Sequence, residues 1–169
     1  IMSCARILVL LAGWLALHAW VGASEVYQAL VVSVVDGDTL WVRPVGQTTK
    51  RKLRLLGMDA PEICQPGGRD SRAALKAMVA GRSLRVTEYG RDSYGRSLVV
   101  LEADGLDIAA RMVFAGHAWS AGSTGSKIAY NQEEREARIA RRGLFSDDNA
   151  QHPGDFRKQH GSCYPPRKP

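Results

Sequence analysis

Residues 34–42 read VVDGDTLWV and constrain the fold more than any other stretch of the chain. Two apolar runs flank an Asp-Gly pair, and this arrangement is the strongest short-range sequence signal for a β-hairpin. A turn needs only Asp36 and Gly37, yet a second acid, Asp38, stands where the return strand begins. The pattern therefore predicts a hairpin and leaves Asp38 to be explained by function.

The rest of the chain continues with strand and helix patterns of ordinary length. Strands are predicted at residues 27–35, 39–45, 50–56, 83–88 and 98–103. Helices are predicted at residues 71–80, 107–115 and 131–142, from helical spacing of apolar residues or from an acidic start and a basic, glycine-terminated end. Such an order predicts an α+β, mainly β fold: a five-stranded OB-fold barrel with about three α-helices.

The N-terminal segment has the pattern of a secretory signal peptide. Arg6 precedes an uninterrupted, mostly apolar run of 14 residues at positions 7–20, and cleavage is expected after Ala23. An uncleaved membrane anchor stays as an alternative, although the run is shorter than the roughly 20 residues that span a bilayer. We therefore expect a signal peptide at 1–23, a folded domain at 24–148 and an irregular C-terminal tail at 149–169. The product would be secreted or periplasmic, monomeric and without stable membrane association.

The net charge and the cysteine content limit which binding partners and which kinds of site are expected. The net charge of +6 favours a polyanionic partner such as nucleic acid, although a basic balance also serves solubility. Outside the leader, Cys64 and Cys163 remain, either as a disulfide in an oxidising compartment or as two free thiols. The four histidines show no metal-ligand spacing with cysteine, so a zinc site is not expected.

Three polar clusters contain the candidate functional residues. They are DGDT at residues 36–39, RLLGMDAPE at 54–62 and DSYGR at 92–96. An ordinary turn or loop would explain each cluster alone. Arg54, however, lies inside an apolar strand, where a charge normally needs a partner or a substrate, and Asp59 and Glu62 follow at the strand exit. Pro61 keeps Ala60 extended, which directs both acids out of the loop and leaves the Ala60 carbonyl able to bind a ligand.

These motifs resemble the staphylococcal-nuclease-like (thermonuclease) family. The resemblance covers about residues 26–147 and includes VVDGDTLWV, RLLGMDAPE and DSYGR in the family's order and spacing. The helix IAARMVFAGHAW and the segment EEREARIARRGLF follow in the same order. The resemblance implies a nuclease domain at 24–148, with an OB fold and calcium-dependent hydrolysis of phosphodiester bonds in DNA and RNA.

The resemblance also implies a role for each candidate residue. The implied calcium ligands are the carboxylates of Asp38 and Asp59 and the main-chain carbonyl of Ala60, with Asp36 close by in support. The implied catalytic residues are Arg54 and Arg96, which would hold the phosphate, and Glu62, which would activate or position water, while Tyr94 would contact the nucleotide. Calcium prefers oxygen ligands, and planar guanidiniums suit the charge that develops on a phosphate, so these residue types fit the implied chemistry.

The chain also departs from the family archetype, and other functions stay open. Ala60 replaces a threonine, Ser93 replaces a lysine, and Tyr130 is an isolated candidate for the archetype's nucleotide-stacking tyrosine pair. The main alternative is a noncatalytic OB module that binds single-stranded nucleic acid through basic and aromatic residues. A third possibility is a scaffold or surface adhesin. Neither alternative explains why acids accompany the arginines, because carboxylates beside phosphate weaken nucleic-acid binding.

Overall fold

The computed structural model describes residues 24–121, 128–161 and 163–164, and the predicted signal peptide lies outside these residues. The described strands are β1 Glu25–Val34, β2 Thr39–Pro44, β3 Arg51–Leu55, β4 Met58–Asp59, β5 Ser83–Arg91, β6 Ser97–Ala103, β7 Leu106–Asp107 and β8 Trp119–Ser120. The described α-helices are α1 Gly68–Val79, α2 Ile108–Phe114, α3 Asn131–Ile139 and α4 Pro153–His160. A short 3-10 helix, Gly143–Ser146, follows α3.

Five strands close into the predicted OB-type barrel. Strand β1 pairs antiparallel with β2 and β5, β2 pairs with β3, and β5 pairs with β6. The barrel closes through a parallel pairing of β3 with β6, in which Leu53 lies opposite Ser97 and Leu55 opposite Val99. The five predicted strands are confirmed to within a few residues. The two-residue strands β4, β7 and β8 were not predicted because they are too short to show a period.

Alternation of apolar side chains explains why these segments form the barrel. On β2 and β3, Leu40, Val42, Leu53 and Leu55 are essentially inaccessible to solvent. Their spacing of two residues places them on one face of each strand. Leu75 and Val79 of α1 and Met112 and Val113 of α2 belong to the same buried core. The core thus fixes the strand ends from which the candidate site residues project.

The three predicted helices are confirmed with small shifts of their ends. Helix α1 begins at Gly68, three residues before the expected start, while α2 and α3 begin within one residue of theirs. Asp107 caps α2 by accepting a hydrogen bond from the Ala110 N–H at 3.1 Å. None of the helices within the described part of the chain is long and apolar enough to cross a membrane.

The expectation of an irregular C-terminal tail is wrong for residues 153–160, which form α4. Pro153 occupies the first turn, where its missing N–H removes no helical hydrogen bond. The His152 ring accepts a hydrogen bond from the Gly154 N–H at 3.1 Å and caps the helix. Phe156 is buried and anchors the helix. Proline had been interpreted as a marker of irregular chain, whereas here it begins a helix.

Of the two alternatives for the cysteines, the structure contains the disulfide. Cys64 and Cys163 form a disulfide with Cα atoms 5.7 Å apart and a sequence separation of 99 residues. The bond attaches the end of the tail to the loop that carries the RLLGMDAPE motif. Helix α4 is therefore held close to the candidate site.

Candidate active site

The turn between β1 and β2 presents two acids with different environments. Asp36 Oδ1 accepts a hydrogen bond from the Asp38 N–H at 3.1 Å, and Asp38 Oδ1 accepts one from the Thr39 hydroxyl at 2.8 Å. Burial raises the pKa of Asp36, and the opposing positive charge of Arg54 does not fully compensate. Asp38 is only 6% exposed. A buried carboxylate at this position requires a cationic partner.

Gly37 brings this turn against the second motif. A Cβ on Gly37 would lie 2.6 Å from the Cβ of Ala60 and would overlap the Ser71 hydroxyl. The residue has no positive φ angle, so its glycine is required for close approach and not for the turn conformation. Across this contact the Ala60 N–H donates a hydrogen bond to Asp38 Oδ2 at 3.1 Å. The Asp-Gly pair thus joins two motifs as well as turning the chain.

Arg54 lies between the two predicted metal-binding carboxylates. The pairing of β2 with β3 places Arg54 opposite Thr39, directly beside Asp38. Its guanidinium forms an ion pair with Asp38 and donates a hydrogen bond from Nη2 to Asp59 Oδ1 at 3.0 Å. Burial lowers the pKa of Arg54, while the negative charge of Asp59 opposes this effect. The charge expected from the sequence inside β3 is therefore paired with both acids.

A second arginine, which the sequence analysis did not identify, also binds Asp59. Arg157 of α4 donates from Nη2 to Asp59 Oδ2 at 2.8 Å and from Nη1 to Asp59 Oδ1 at 3.3 Å. Its Nη1 also lies 3.0 Å from Glu62 Oε1. Burial alone would raise the pKa of Asp59, but the hydrogen bonds from Arg157 and the charge of Arg54 outweigh it and hold the pKa below its usual range.

Glu62 begins the loop that leads into α1. Its N–H donates a hydrogen bond to Gln65 Oε1 at 3.1 Å, which fixes the backbone of the loop. The Gly68 N–H continues the turn by donating to the Gln65 carbonyl at 2.9 Å. The Glu62 side chain is thus directed toward Asp59, and Arg157 bridges the two carboxylates.

The third motif forms a tight turn between β5 and β6 and supplies Arg96. Asp92 Oδ1 accepts hydrogen bonds from the N–H groups of Tyr94 and Arg96, both at 2.9 Å, and its Oδ2 accepts one from Arg96 Nε at 2.7 Å. Arg96 Nη1 also donates to the Thr39 hydroxyl at 3.2 Å. Since Thr39 in turn contacts Asp38, the third motif is joined to the first. The structure thus brings the three sequence clusters together.

The two tyrosine candidates lie in opposite environments. Tyr94 is 80% exposed, and its ring centre lies 5.4 Å from the Arg96 guanidinium carbon, so its face is accessible to a ligand. Tyr130 is 7% exposed, and its hydroxyl donates to Asp107 Oδ2 at 2.7 Å. The isolated candidate Tyr130 is therefore not available to stack on a nucleotide, because its ring belongs to the core.

The donor atoms of the site fit a hard cation. No group of three or more His, Cys, Asp or Glu side chains suited to a metal converges within residues 24–121, 128–161 and 163–164. The predicted ligand set needs only two carboxylates, from Asp38 and Asp59, together with one main-chain carbonyl. Both carboxylates are at least nine-tenths buried and are neutralised by arginine, which indicates a site with a strong demand for positive charge. Oxygen donors of this kind are those that calcium prefers.

A small five-stranded barrel of this kind, with carboxylates and arginines gathered at its strand ends, belongs to the OB-fold class. The staphylococcal nuclease homologue family profile matches residues 52–147, and the chain belongs to this family. The chain is 40% identical over 118 residues to an uncharacterized endonuclease of Escherichia coli O157:H7, covering 69% of this chain and 76% of that protein.

The chain is also similar in sequence to proteins from other organisms. An uncharacterized endonuclease of Haemophilus influenzae is 33% identical over 129 residues, covering 76% of this chain and 72% of that protein. The probable staphylococcal-like nuclease CAN2 of Oryza sativa is 36% identical over 128 residues. The aligned region covers 76% of this chain but only 33% of the rice protein. Two of these relatives are named as endonucleases and the third as a probable nuclease.

Proposed function

We propose that the protein is a calcium-dependent endonuclease that hydrolyses phosphodiester bonds in DNA, with RNA as a second substrate to be tested. The observation that carries the proposal is a continuous series of contacts that runs from Asp59 through Arg54 and Asp38 to Thr39 and Arg96. Carboxylates suited to a hard cation and guanidiniums suited to a phosphate therefore lie side by side. The expected signal peptide and the disulfide support a secreted or periplasmic location.

In this proposal the carboxylates of Asp38 and Asp59 and the main-chain carbonyl of Ala60 hold calcium, with Asp36 in support. Bound calcium supplies positive charge that favours the approach of water to an anionic phosphodiester. A site with two carboxylates, one carbonyl and several waters suits calcium better than magnesium, which requires a stricter octahedron.

The remaining residues act on the substrate. Arg54 and Arg96 bind the nonbridging phosphate oxygens, where negative charge increases as water attacks. Glu62 accepts a proton from the attacking water. The oxygen of that water bonds to phosphorus as the bond between phosphorus and the leaving oxygen breaks. Tyr94, exposed beside Arg96, contacts the nucleotide.

The proposal is tested by incubating the protein with plasmid DNA and with RNA in calcium, in magnesium and in excess chelator. We expect cleavage in calcium, little cleavage in magnesium and none with chelator. Full activity in excess chelator would contradict the metal requirement. Binding of nucleic acid without cleavage in calcium would favour the noncatalytic OB module instead.

A further inference from the structure

Helix α4 places a basic side chain on the two acids to which the proposed function gives the most important roles. Arg157 contacts both oxygens of Asp59, at 2.8 and 3.3 Å, and one oxygen of Glu62 at 3.0 Å. Asp59 is a proposed calcium ligand and Glu62 the proposed proton acceptor. The contact links residues 98 positions apart in the sequence, so it depends on the folded tail and not on local structure.

The tail is attached to the site loop on both sides of Arg157. After the helix, Cys163 is bonded to Cys64, which lies two residues beyond Glu62. Before the helix, Gln65 Nε2 donates to the Gln151 carbonyl at 2.6 Å. Two attachments to one loop keep the local concentration of the guanidinium near the carboxylates high, as for any intramolecular ligand.

Both carboxylate oxygens of Asp59 already accept hydrogen bonds from arginine. Oδ1 accepts from Arg54 and Arg157, and Oδ2 accepts from Arg157. Three of the roughly four acceptor sites of the carboxylate are thus engaged, so a cation that takes Asp59 as a ligand competes with the arginine contacts. Carboxylates gathered in a buried site repel one another, and a guanidinium between them supplies the positive charge that they require.

Of the two arginines, Arg157 is the one free to leave. The Arg54 side chain is 17% exposed and belongs to the barrel strand β3, whereas the Arg157 side chain is 42% exposed and belongs to α4. A rotamer change on the surface of a helix requires no change in the barrel. Departure of Arg157 would also release Oε1 of Glu62, the proposed proton acceptor.

We propose that Arg157 is an intramolecular competitor for the calcium site, an autoinhibitory contact that occupies Asp59 and Glu62 until calcium displaces it. This inference rests on the proposed function, because it takes Asp59 as a calcium ligand. The disulfide between Cys64 and Cys163 is the tether that keeps the competitor in place. The tethered protein therefore requires a higher calcium concentration for half-maximal activity than it would without Arg157.

The test compares the wild-type protein with Arg157→Gln by calcium titration calorimetry. Lys158→Gln is the matched control, since Lys158 lies on the same helix, carries the same charge and pairs with Asp155 at 2.8 Å, outside the site. We expect Arg157→Gln to bind calcium about tenfold more tightly, since a charge-assisted hydrogen bond to the ligand is removed and the pair is partly exposed to solvent. Lys158→Gln should bind calcium with the wild-type affinity.

A thermal unfolding measurement gives a second readout that does not depend on activity. In chelator, Arg157→Gln should unfold at a lower temperature than wild type, because Asp59 and Glu62 lose the positively charged guanidinium that pairs with them. Saturating calcium should stabilise Arg157→Gln by more degrees than it stabilises the wild-type protein. If Arg157→Gln folds poorly, Arg157→Lys replaces it, and an affinity increase of about threefold is expected because one point charge replaces the fork.

Each outcome separates the inference from the function on which it rests. Equal or weaker calcium binding by the Arg157 variants, with calcium binding retained in the wild type, would overturn the competition alone. Unchanged calcium affinity with weaker binding of a short oligonucleotide would make Arg157 a phosphate-binding residue instead. Absence of calcium binding in all the proteins would contradict the calcium site itself and the competition with it.

Discussion

Replacement of Arg54 by lysine keeps the charge and removes the geometry that joins the two proposed calcium ligands. The Arg54 guanidinium contacts Asp38 and Asp59 at the same time, from two different nitrogens. A lysine ammonium on a flexible stem cannot present two donors in that planar arrangement. One charge-assisted hydrogen bond to a buried carboxylate is therefore lost, which corresponds to about 1.5–3 kcal/mol of stability in the absence of calcium.

The same substitution should also lower turnover. Loss of one preorganised donor to the developing charge typically costs about 10²–10³ in kcat. Urea unfolding in chelator measures the effect on stability, and initial cleavage rates in saturating calcium measure the effect on catalysis. The two measurements separate a fold defect from a catalytic one.

Arg51→Lys is the matched control for this variant. Arg51 lies on the same strand, and it also pairs with two carboxylates, Glu25 at 2.9 Å and Glu88 at 3.3 Å, but away from the site. We expect a stability loss of about 1 kcal/mol or less and wild-type turnover for this control. Near-native turnover in Arg54→Lys, or an equal loss of turnover in Arg51→Lys, would refute the assignment of Arg54 to the phosphate.

Three further predictions concern the other site residues. Glu62→Gln should lower kcat in saturating calcium with little change in oligonucleotide affinity, because the amide keeps the shape but cannot take the proton; unchanged turnover would exclude Glu62 as the base. Asp59→Asn should clearly weaken calcium binding in calorimetry, whereas Ala60→Thr should leave calcium affinity nearly unchanged. The added atoms of Ala60→Thr should lower stability by about 1–3 kcal/mol. The reverse order of calcium affinities would contradict the ligand assignment. Burial raises the pKa of Asp92, but the hydrogen bonds and charge of Arg96 outweigh burial, so folding lowers the pKa of this carboxylate. Its contribution to stability is present above the unfolded value of about 3.9 and is lost as pH falls through the folded pKa, so the stability deficit of Asp92→Asn in urea unfolding should shrink between pH 7 and pH 3; a constant deficit would exclude ionisation as the cause.

The barrel could be predicted from the sequence because each strand and turn is marked by residues that are close together in the chain. Strand β2 shows an alternation of Leu40 and Val42 that identifies its buried face, and the adjacent Asp-Gly pair marks the turn. The site residues were identifiable for a similar reason, since each motif lies at a strand end and a barrel brings such ends together. Arg54 was recognisable as a charge inside an apolar strand.

The features that were missed depend on contacts between distant parts of the chain. Arg157 is one of many basic residues in a proline-containing tail, and no local pattern distinguishes it from Lys158. The one usable signal was the predicted pair of Cys64 with Cys163, since a disulfide there carries the residues just before Cys163 toward the motif loop. The burial of Tyr130 could not be predicted, because an isolated tyrosine has no periodicity that separates a core ring from an exposed one.

The charge arrangement of the site has a consequence for the order of binding. Arg54 and Arg157 are both engaged with carboxylates, and Arg96 is engaged with Asp92, so none of the three guanidiniums is uncommitted. In the proposed mechanism, a cation that takes over Asp38 and Asp59 would free the donors of Arg54 for the phosphate. Calcium and nucleic acid should therefore bind with positive coupling, and linkage requires that each raise the affinity of the other by the same factor. A noncatalytic binder has no such requirement, since its arginines would contact phosphate without first being released from acids.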